Sequence, residues 1–227
     1  MSDIYCYPNT SILKNKLNIT NAKNLLKTEI ELTSTQLMDL QQHPIKGNFD
    51  FTHLCRIHKY IFEDLFPWAG KIRTVDIGKG NLFCLVPNIP SYANTIFSKY
   101  YKECKAHKKD PHAFVHVLTN HYADLNALHP FREGNGRAQR EFARELCLNC
   151  GYTFDLTHTT HEEMLHASIQ SFNGNNTELE QIFQTAIQPI MDPEQHQKRL
   201  EQAIAILSID DIANPPTTDP HDQYDPK

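Results

Sequence analysis

The sequence predicts an all-α fold with one β-hairpin. Apolar residues recur every three or four positions along most of the chain, as in Phe114, Leu118, Tyr122 and Leu125. That spacing lines them up on one stripe of a helix. One stretch, residues 71–86, breaks the pattern. There Ile72, Val75, Ile77, Leu82, Phe83, Leu85 and Val86 flank Gly78-Lys-Gly-Asn81, and β-branched residues on either side of a glycine turn read as a hairpin. No other segment reads as a convincing strand.

The elements follow in order. Asn21 to Gln42 is a long helix with Leu25, Leu26, Ile30, Leu37 and Leu40 as apolar positions, ended by His43-Pro44 and Gly47-Asn48. Phe51 to Leu65 comes next, with Asp50 or Thr52 as its cap, and Pro67 and Gly70 close it. Beyond the hairpin, Ser91 to His107 and Pro111 to Leu128 are helical. Gln139 to Cys150 turns Phe142 and Leu146 to the core and stops at Gly151. Thr160 to Phe172 shows Met164, Leu165, Ser168, Ile169 and Phe172 on one face, and Thr177 to Ile187 is a short amphipathic helix before Pro189. Asp192 to Leu207 reads as a solvated helix with Pro193 in its first turn. From Asp210 on, prolines alternate with aspartates and threonines, a composition that predicts disorder. The expected organisation is one domain over residues 1–190, including an N-terminal extension, followed by a C-terminal helix and a Pro/Asp-rich tail over 191–227.

Composition narrows the function classes. A chain of 227 residues can bury one core of ordinary size. A net charge of -5 argues against direct nucleic-acid binding and against anionic membranes. No stretch reaches transmembrane length, and MSDIYCYPNT lacks the basic-then-apolar layout of a secretory signal, so a cytoplasmic location is predicted. The six cysteines show no framework spacing. Cys147-x-x-Cys150 has no second pair and falls on the apolar side of its helix, which reads as buried thiols rather than zinc ligands. His161-Glu-Glu-Met-Leu-His166 is one residue too long for the His-Glu-x-x-His pair of a zinc-protease helix.

The densest chemistry lies in His129-Pro-Phe-Arg-Glu-Gly-Asn-Gly-Arg-Ala-Gln-Arg140, between two predicted helices. Its last part forms the first turn of the second helix, where unpartnered backbone N–H groups and the helix dipole favour an anion. Gly134 and Gly136 let the backbone approach a ligand closely, which makes an anion cradle. Arg137 and Arg140 are three apart and can clamp the same anion. Glu133 is a hard oxygen ligand suited to magnesium bridging phosphate oxygens. His129 has an unperturbed pKa near neutrality, as a general base requires. Phe131 is a core anchor beneath the loop, and Asn135 orients either a phosphate or the loop. Taken singly, Gly-Asn-Gly is a common turn and two arginines are a solvated face. The combination at this spacing is what points to a polyphosphate and a deprotonated nucleophile.

These twelve residues match the Fic motif, His-x-Phe-x-(Asp/Glu)-Gly-Asn-Gly-Arg-x-x-Arg, at every defined position. The resemblance to the Fic/Doc family extends outward. Phe66-Pro-Trp-Ala-Gly-Lys-Ile-Arg73 looks like the lead into the family's flap hairpin. Tyr7-Pro-Asn-Thr-x-x-Leu-Lys-Asn-Lys16 is similar to the N-terminal segment of Fic effectors of type IV secretion systems, and Ala167-Ser-Ile-Gln-Ser-Phe-Asn-Gly-Asn175 looks like a helix end of the same branch. The resemblance implies a Fic-type helical core and a protein adenylyltransferase. Its substrate would be ATP with Mg²⁺ on Glu133. Gly134, Asn135, Gly136, Arg137 and Arg140 would lie on the phosphates, with His129 as base. Lys71, Ile72, Arg73, Thr74, Gly78, Lys79 and Gly80 would form a flap that holds the target's backbone by strand addition. Both motif glycines are present, which favours AMP transfer over the kinase branch of the family. An idle scaffold, or another nucleotide, is the alternative.

The resemblance also bears on control. Family members carry an inhibitory (Ser/Thr)-x-x-x-Glu-(Gly/Asn) helix, whereas here Thr159-x-x-x-Glu163 is followed by Met164. Internal self-inhibition is therefore expected to be absent. A small antitoxin would supply the glutamate, or the chain acts as a toxin or a delivered effector. Targets implied by the family are DNA gyrase and topoisomerase IV, or a host GTPase.

Overall fold

The first helix, α1 (Ala22–Gln42), begins where the Asn21 side chain accepts the Asn24 backbone N–H. Asp50 does the same for His53 at the start of α2 (Phe51–Phe62). This is a computed structural model of the chain, and it describes residues 3–79 and 81–190. Gly80, the predicted helix over 192–207 and the tail beyond lie outside the described residues. After α2 the chain runs irregularly to a hairpin of β1 (Gly78–Lys79) and β2 (Asn81–Leu82), with Gly78 opposite Leu82. The strands are far shorter than the predicted 71–86. Leu85 leads directly into a 3₁₀ turn at Val86–Asn88, and residues 71–77 are held by side-chain bonds and scattered backbone bonds, such as Phe83 N–H to Ile77, outside any regular strand.

The predicted helix over Ser91 to His107 is two helices, α3 (Ile89–Phe97) and α4 (Tyr100–His107). Then α5 (Pro111–Leu128) follows as predicted, with Asp110 accepting from His112 and Ala113 at its start, and with Phe114, Leu118, Tyr122 and Leu125 buried. The next helix, α6 (Asn135–Cys150), ends at Gly151 in the left-handed conformation, as a C-terminal glycine allows. Thr160 and Glu163 form a capping box at the start of α7 (His161–Phe172). The buried face of α7 is Met164, Ala167 and Ser171, while Ile169 is 49% exposed. The predicted face was thus rotated. Finally α8 (Thr177–Ala186) runs into β4 (Ile187–Pro189), which pairs antiparallel with β3 (Tyr152–Phe154). This second ribbon corrects the expectation of a single β element.

α6 sits at the centre, packed against α2 on one side and α5 and β3 on others. Its Phe142 is fully buried among Phe49, Phe97, Tyr100 and His53, with ring centroids 5.6–5.9 Å away. Beside this apolar centre lies a buried polar one. Arg144 donates to both oxygens of Glu141 at 2.6 and 2.8 Å and to the Leu40 carbonyl at 3.0 Å. Gln41 donates to Glu141 at 3.1 Å, Ile45 N–H to Glu145 at 3.1 Å, and His53 Nε2 lies 3.1 Å from Glu145. The network fastens the end of α1 and the start of α2 to α6.

A charge in such a place is tolerated only while its partner is present. Arg144→Met leaves Glu141 buried without its cation, and should lower folding stability by about 3–5 kcal/mol. Urea unfolding of variant and parent measures this, and an unchanged midpoint would show that the network contributes nothing.

Candidate active site

The bend between α5 and α6 is tight, and its conformations are unusual. His129 caps α5 in the left-handed region at φ 42°, which disfavours any residue with a side chain. Gly134 repeats the left-handed conformation at φ 78°, and a Cβ there would come within 2.1 Å of the Phe62 ring. Glycine is therefore required both by the backbone and by the aromatic floor.

Several side chains hold this bend. Asn135 accepts the Phe131 N–H at 2.8 Å and donates to the Phe131 carbonyl at 2.7 Å. Both ends of its amide thus close the loop on itself. Of the two roles foreseen for Asn135, the side chain takes the one that clasps the loop. Phe131 is fully buried and stacks on His58 with centroids 3.8 Å apart. His58 accepts the Gly70 N–H on Nδ1 at 2.8 Å, so its proton is on Nε2, which donates to the Glu133 carbonyl at 2.9 Å. Burial pushes the His58 pKa down to about 3, with the Glu133 bond opposing and Arg137 assisting. It is a neutral strut between the loop and the chain that leads to the flap.

The proton inventory of His129 follows from one contact. Its Nδ1 lies 3.1 Å from the Asn126 carbonyl. A carbonyl can only accept, so Nδ1 carries the hydrogen in the neutral ring and Nε2 is the atom able to take a proton. The imidazole face lies against Phe83, at 3.7 Å between centroids and 10° between planes. Phe83 in turn meets Phe172 of α7 edge-on.

Two arginines are not where their sequence roles placed them. Arg73, grouped with the target-docking flap, is 1% exposed. Its Nε donates to the His129 carbonyl at 2.9 Å, its Nη1 to Val75 at 2.9 Å and its Nη2 to the Cys84 carbonyl. Its backbone N–H also donates to Pro130. The guanidinium ties the flap's two ends to the bend. Arg137, expected to share an anion with Arg140, is also 1% exposed. It donates to Glu29 of α1 at 2.7 Å and to Thr33 at 3.3 Å, lies 3.7 Å from Glu133, and stacks over Phe62 at 4.5 Å. Arg137 forms the wall of the cradle. Among the remaining predicted residues, Lys71 and Thr74 are exposed, Ile72 is half-buried, and Gly78 and Lys79 form β1.

The cradle itself is the N-terminus of α6. From Phe131 to Arg140 every residue is buried except Gly136, which is partly exposed, and the N-cap, Gly134, gives the helix no side-chain cap. Glu133 accepts the Gly134 N–H at 2.9 Å, which fixes its carboxylate at the cradle's edge. Among the described residues no three His, Cys, Asp or Glu side chains gather to hold a metal. A single hard carboxylate such as that of Glu133 is the kind of protein donor magnesium accepts where phosphate and water complete its shell. Sequence reading missed His58, Phe83 and Glu29 as parts of this site, and named Arg73 only as part of the flap. Only His58 left a trace, since it shares the buried helical spacing of Leu54, Ile57 and Ile61.

Comparison with known proteins follows the same lines. A family model described as the Fic/DOC family matches residues 48–147. The probable protein adenylyltransferase Fic of Salmonella typhimurium is 33% identical over 197 residues, covering 85% of this chain and 96% of that one. The protein adenylyltransferase VbhT of Bartonella schoenbuchensis is 38% identical over 176 residues, covering 77% of this chain but only 37% of its own length. The N-terminal Fic domain of a putative cell filamentation protein from Bartonella quintana, solved with bound ADP, superposes with a TM-score of 0.77 at 26% identity, covering 82% of this chain and 94% of that one.

The neutrality of His58 has a measurable consequence. Unfolded, it takes a proton below about pH 6.5; folded, it does so only near pH 3. Stability is therefore lost as the pH falls through that window, by up to about 1.4 kcal/mol per pH unit from this group. His58→Gln keeps a donor and an acceptor but cannot charge. Its destabilisation relative to the parent should shrink from pH 7 to pH 5 in urea titrations, and a constant gap would contradict the assignment.

Proposed function

The chain belongs to the Fic/DOC family, and we infer that it is a protein adenylyltransferase that moves AMP from ATP to a hydroxyl of a target protein. The observation that carries this reading is the His129 imidazole, with Nδ1 tied to Asn126, standing beside a helix whose N-cap, Gly134, has no side chain to cap it. A base and an anion site within one bend are what in-line transfer needs.

ATP phosphates lie along the start of α6, on the backbone around Gly134 and Gly136, with Arg140 one turn further in. The target hydroxyl is aligned by the flap and attacks the α-phosphorus. His129 Nε2 takes the hydroxyl proton as the new P–O bond forms and the bond to the leaving pyrophosphate breaks. A magnesium ion, when bound, neutralises charge on the phosphate oxygens, and Glu133 is the residue that would hold it. Arg137 acts at one remove: paired with Glu29 and close to Glu133, it keeps the carboxylate's surroundings fixed. Positioning and charge stabilisation supply most of the acceleration.

The target is a protein. Within the relatives' range of roles, we place this chain with the toxin-like and effector-like enzymes, acting on gyrase and topoisomerase IV or on a host GTPase. It would act in the cytoplasm of the producing cell or of a cell into which it is delivered. No helix of the described residues is long and apolar enough to cross a membrane. Glu163, in the one near-match to the inhibitory pattern, is engaged in the α7 capping box. A small helical antitoxin bearing the full pattern would then supply restraint from outside.

His129→Ala should lower AMP transfer from α-labelled ATP to lysate proteins by ~10²-fold or more, with ATP binding retained. Undiminished labelling would remove His129 from its role as base. Glu133→Ala should flatten the magnesium dependence of nucleotide binding, measured by titration with and without the ion. A parent-like response would mean that the metal is held elsewhere.

A further inference from the structure

The N-terminal segment, residues 3–16, is folded on itself and laid against the bend and the stem of the flap. Tyr7 N–H donates to Ile12 at 2.9 Å and Lys14 N–H to Tyr5 at 2.7 Å, so the segment doubles back as a narrow loop closed at Cys6 and Leu13. Cys6 and Leu13 are buried against the core, and Lys16 N–H donates to Leu65 at 2.8 Å. The strap is thereby seated on the body of the protein, and two of its side chains reach beyond it.

Asp3 is one. Its Oδ2 accepts from Arg132 Nε at 2.9 Å and from Nη2 at 2.6 Å, and both side chains are 7% exposed. Arg132 lies in the bend between His129 and Glu133, at a position the motif leaves undefined. Tyr5 is the other. Its hydroxyl accepts the Thr74 N–H at 3.1 Å and meets the Thr74 hydroxyl at 3.2 Å, and its ring stands edge-on to Trp68 at 5.7 Å. Thr74 follows Arg73, whose bonds to His129 and Pro130 join the flap to the bend. The strap therefore touches the two partners of that junction, one through each side chain.

We propose that Asp3 and Tyr5 are positioning residues, which fix the spacing between the flap stem and the loop that carries the base. The physical reason is stiffness. The junction at residues 71–77 has no ladder of its own, and a target presented by the flap must meet His129 within a fraction of an ångström. A charge-assisted pair shielded from water resists displacement more than an exposed one. The hydroxyl of Tyr5 closes the other side. Neither residue touches the reacting atoms, and each acts through its partner.

The activity arm of the test rests on the adenylyltransferase reading, and the exchange arm does not. Asp3→Asn and Tyr5→Phe are made in the full chain, together with the swap Asp3→Arg with Arg132→Asp. Amide hydrogen exchange is read at Arg73, bonded to Pro130, and at Cys84, bonded to Ala127, neither of which any variant alters directly. Exchange at both should quicken by about tenfold in the single variants, while the helical amides of α5 and α6 keep their protection. Labelling of lysate proteins from α-labelled ATP should fall roughly tenfold with the affinity for a fluorescent ATP analogue unchanged, and the swap should recover both readouts. Parent-like exchange in both single variants overturns the proposal. So does a labelling loss no larger than the unfolded fraction measured in urea, or a swap that recovers neither readout. If the parent itself labels nothing, the adenylyltransferase reading fails, and the exchange arm alone decides the role of the strap.

Discussion

A buried guanidinium is costly unless acceptors are brought to it. Each of the three nitrogens of Arg73 donates to a backbone carbonyl, drawn from His129, Val75 and Cys84, and the Asp76 carboxylate lies 3.6 Å from Nη1. This requirement organises the site. The flap's two ends must converge on one point, and that point must be the carbonyl of the residue that bears the base. Everything else in the region can be read as support for this meeting. Asn135 closes the bend, Phe131 fills the space under it, and His58 joins the bend to Gly70. The guanidinium adds to the few other anchors of the hairpin, such as Cys84 N–H to Ala127 and Phe83 on His129, since a ladder of two-residue strands is marginal on its own.

Much of the scaffold was legible because its signals are local. The apolar stripe of α5, the cap at Asp50 and the glycine after Cys150 each depend on residues within a few positions of one another. The β3–β4 ribbon was not legible, because it pairs three-residue strands more than thirty positions apart and neither is bounded by a hairpin turn. The face of α7 was misread for a different reason. Size suggested Ile169 as a core residue, but the space against α5 and α8 is filled by Met164, Ala167 and Ser171.

In the site, residue types were easier to read than directions. That His129, Glu133 and the two glycines belong to one bend follows from their spacing. That Arg137 faces α1 does not, because a long side chain at the start of a helix can serve a ligand or a neighbouring helix equally well. Glu29 and Thr33 decide the matter, and they are more than a hundred positions away. The histidines teach a similar lesson. A ring with a pKa near neutrality suggests a switch, yet His58 is so deeply enclosed between Glu133 and Gly70 that its charge is suppressed and its two nitrogens serve as fixed hydrogen-bonding ends.

The separation along the chain of the strap's contacts bears on how the protein comes into being. Asp3 meets Arg132 across 129 positions, and Glu29 meets Arg137 across 108. During synthesis at about 5–20 residues per second, the first helix leaves the ribosome long before the bend exists. The wall of the cradle and the clasp over the flap cannot close until the second half of the chain has emerged. A nascent chain arrested before α6 therefore has helices but no assembled centre. The contacts on which the geometry of the cradle rests form only once the start of α6 has been made.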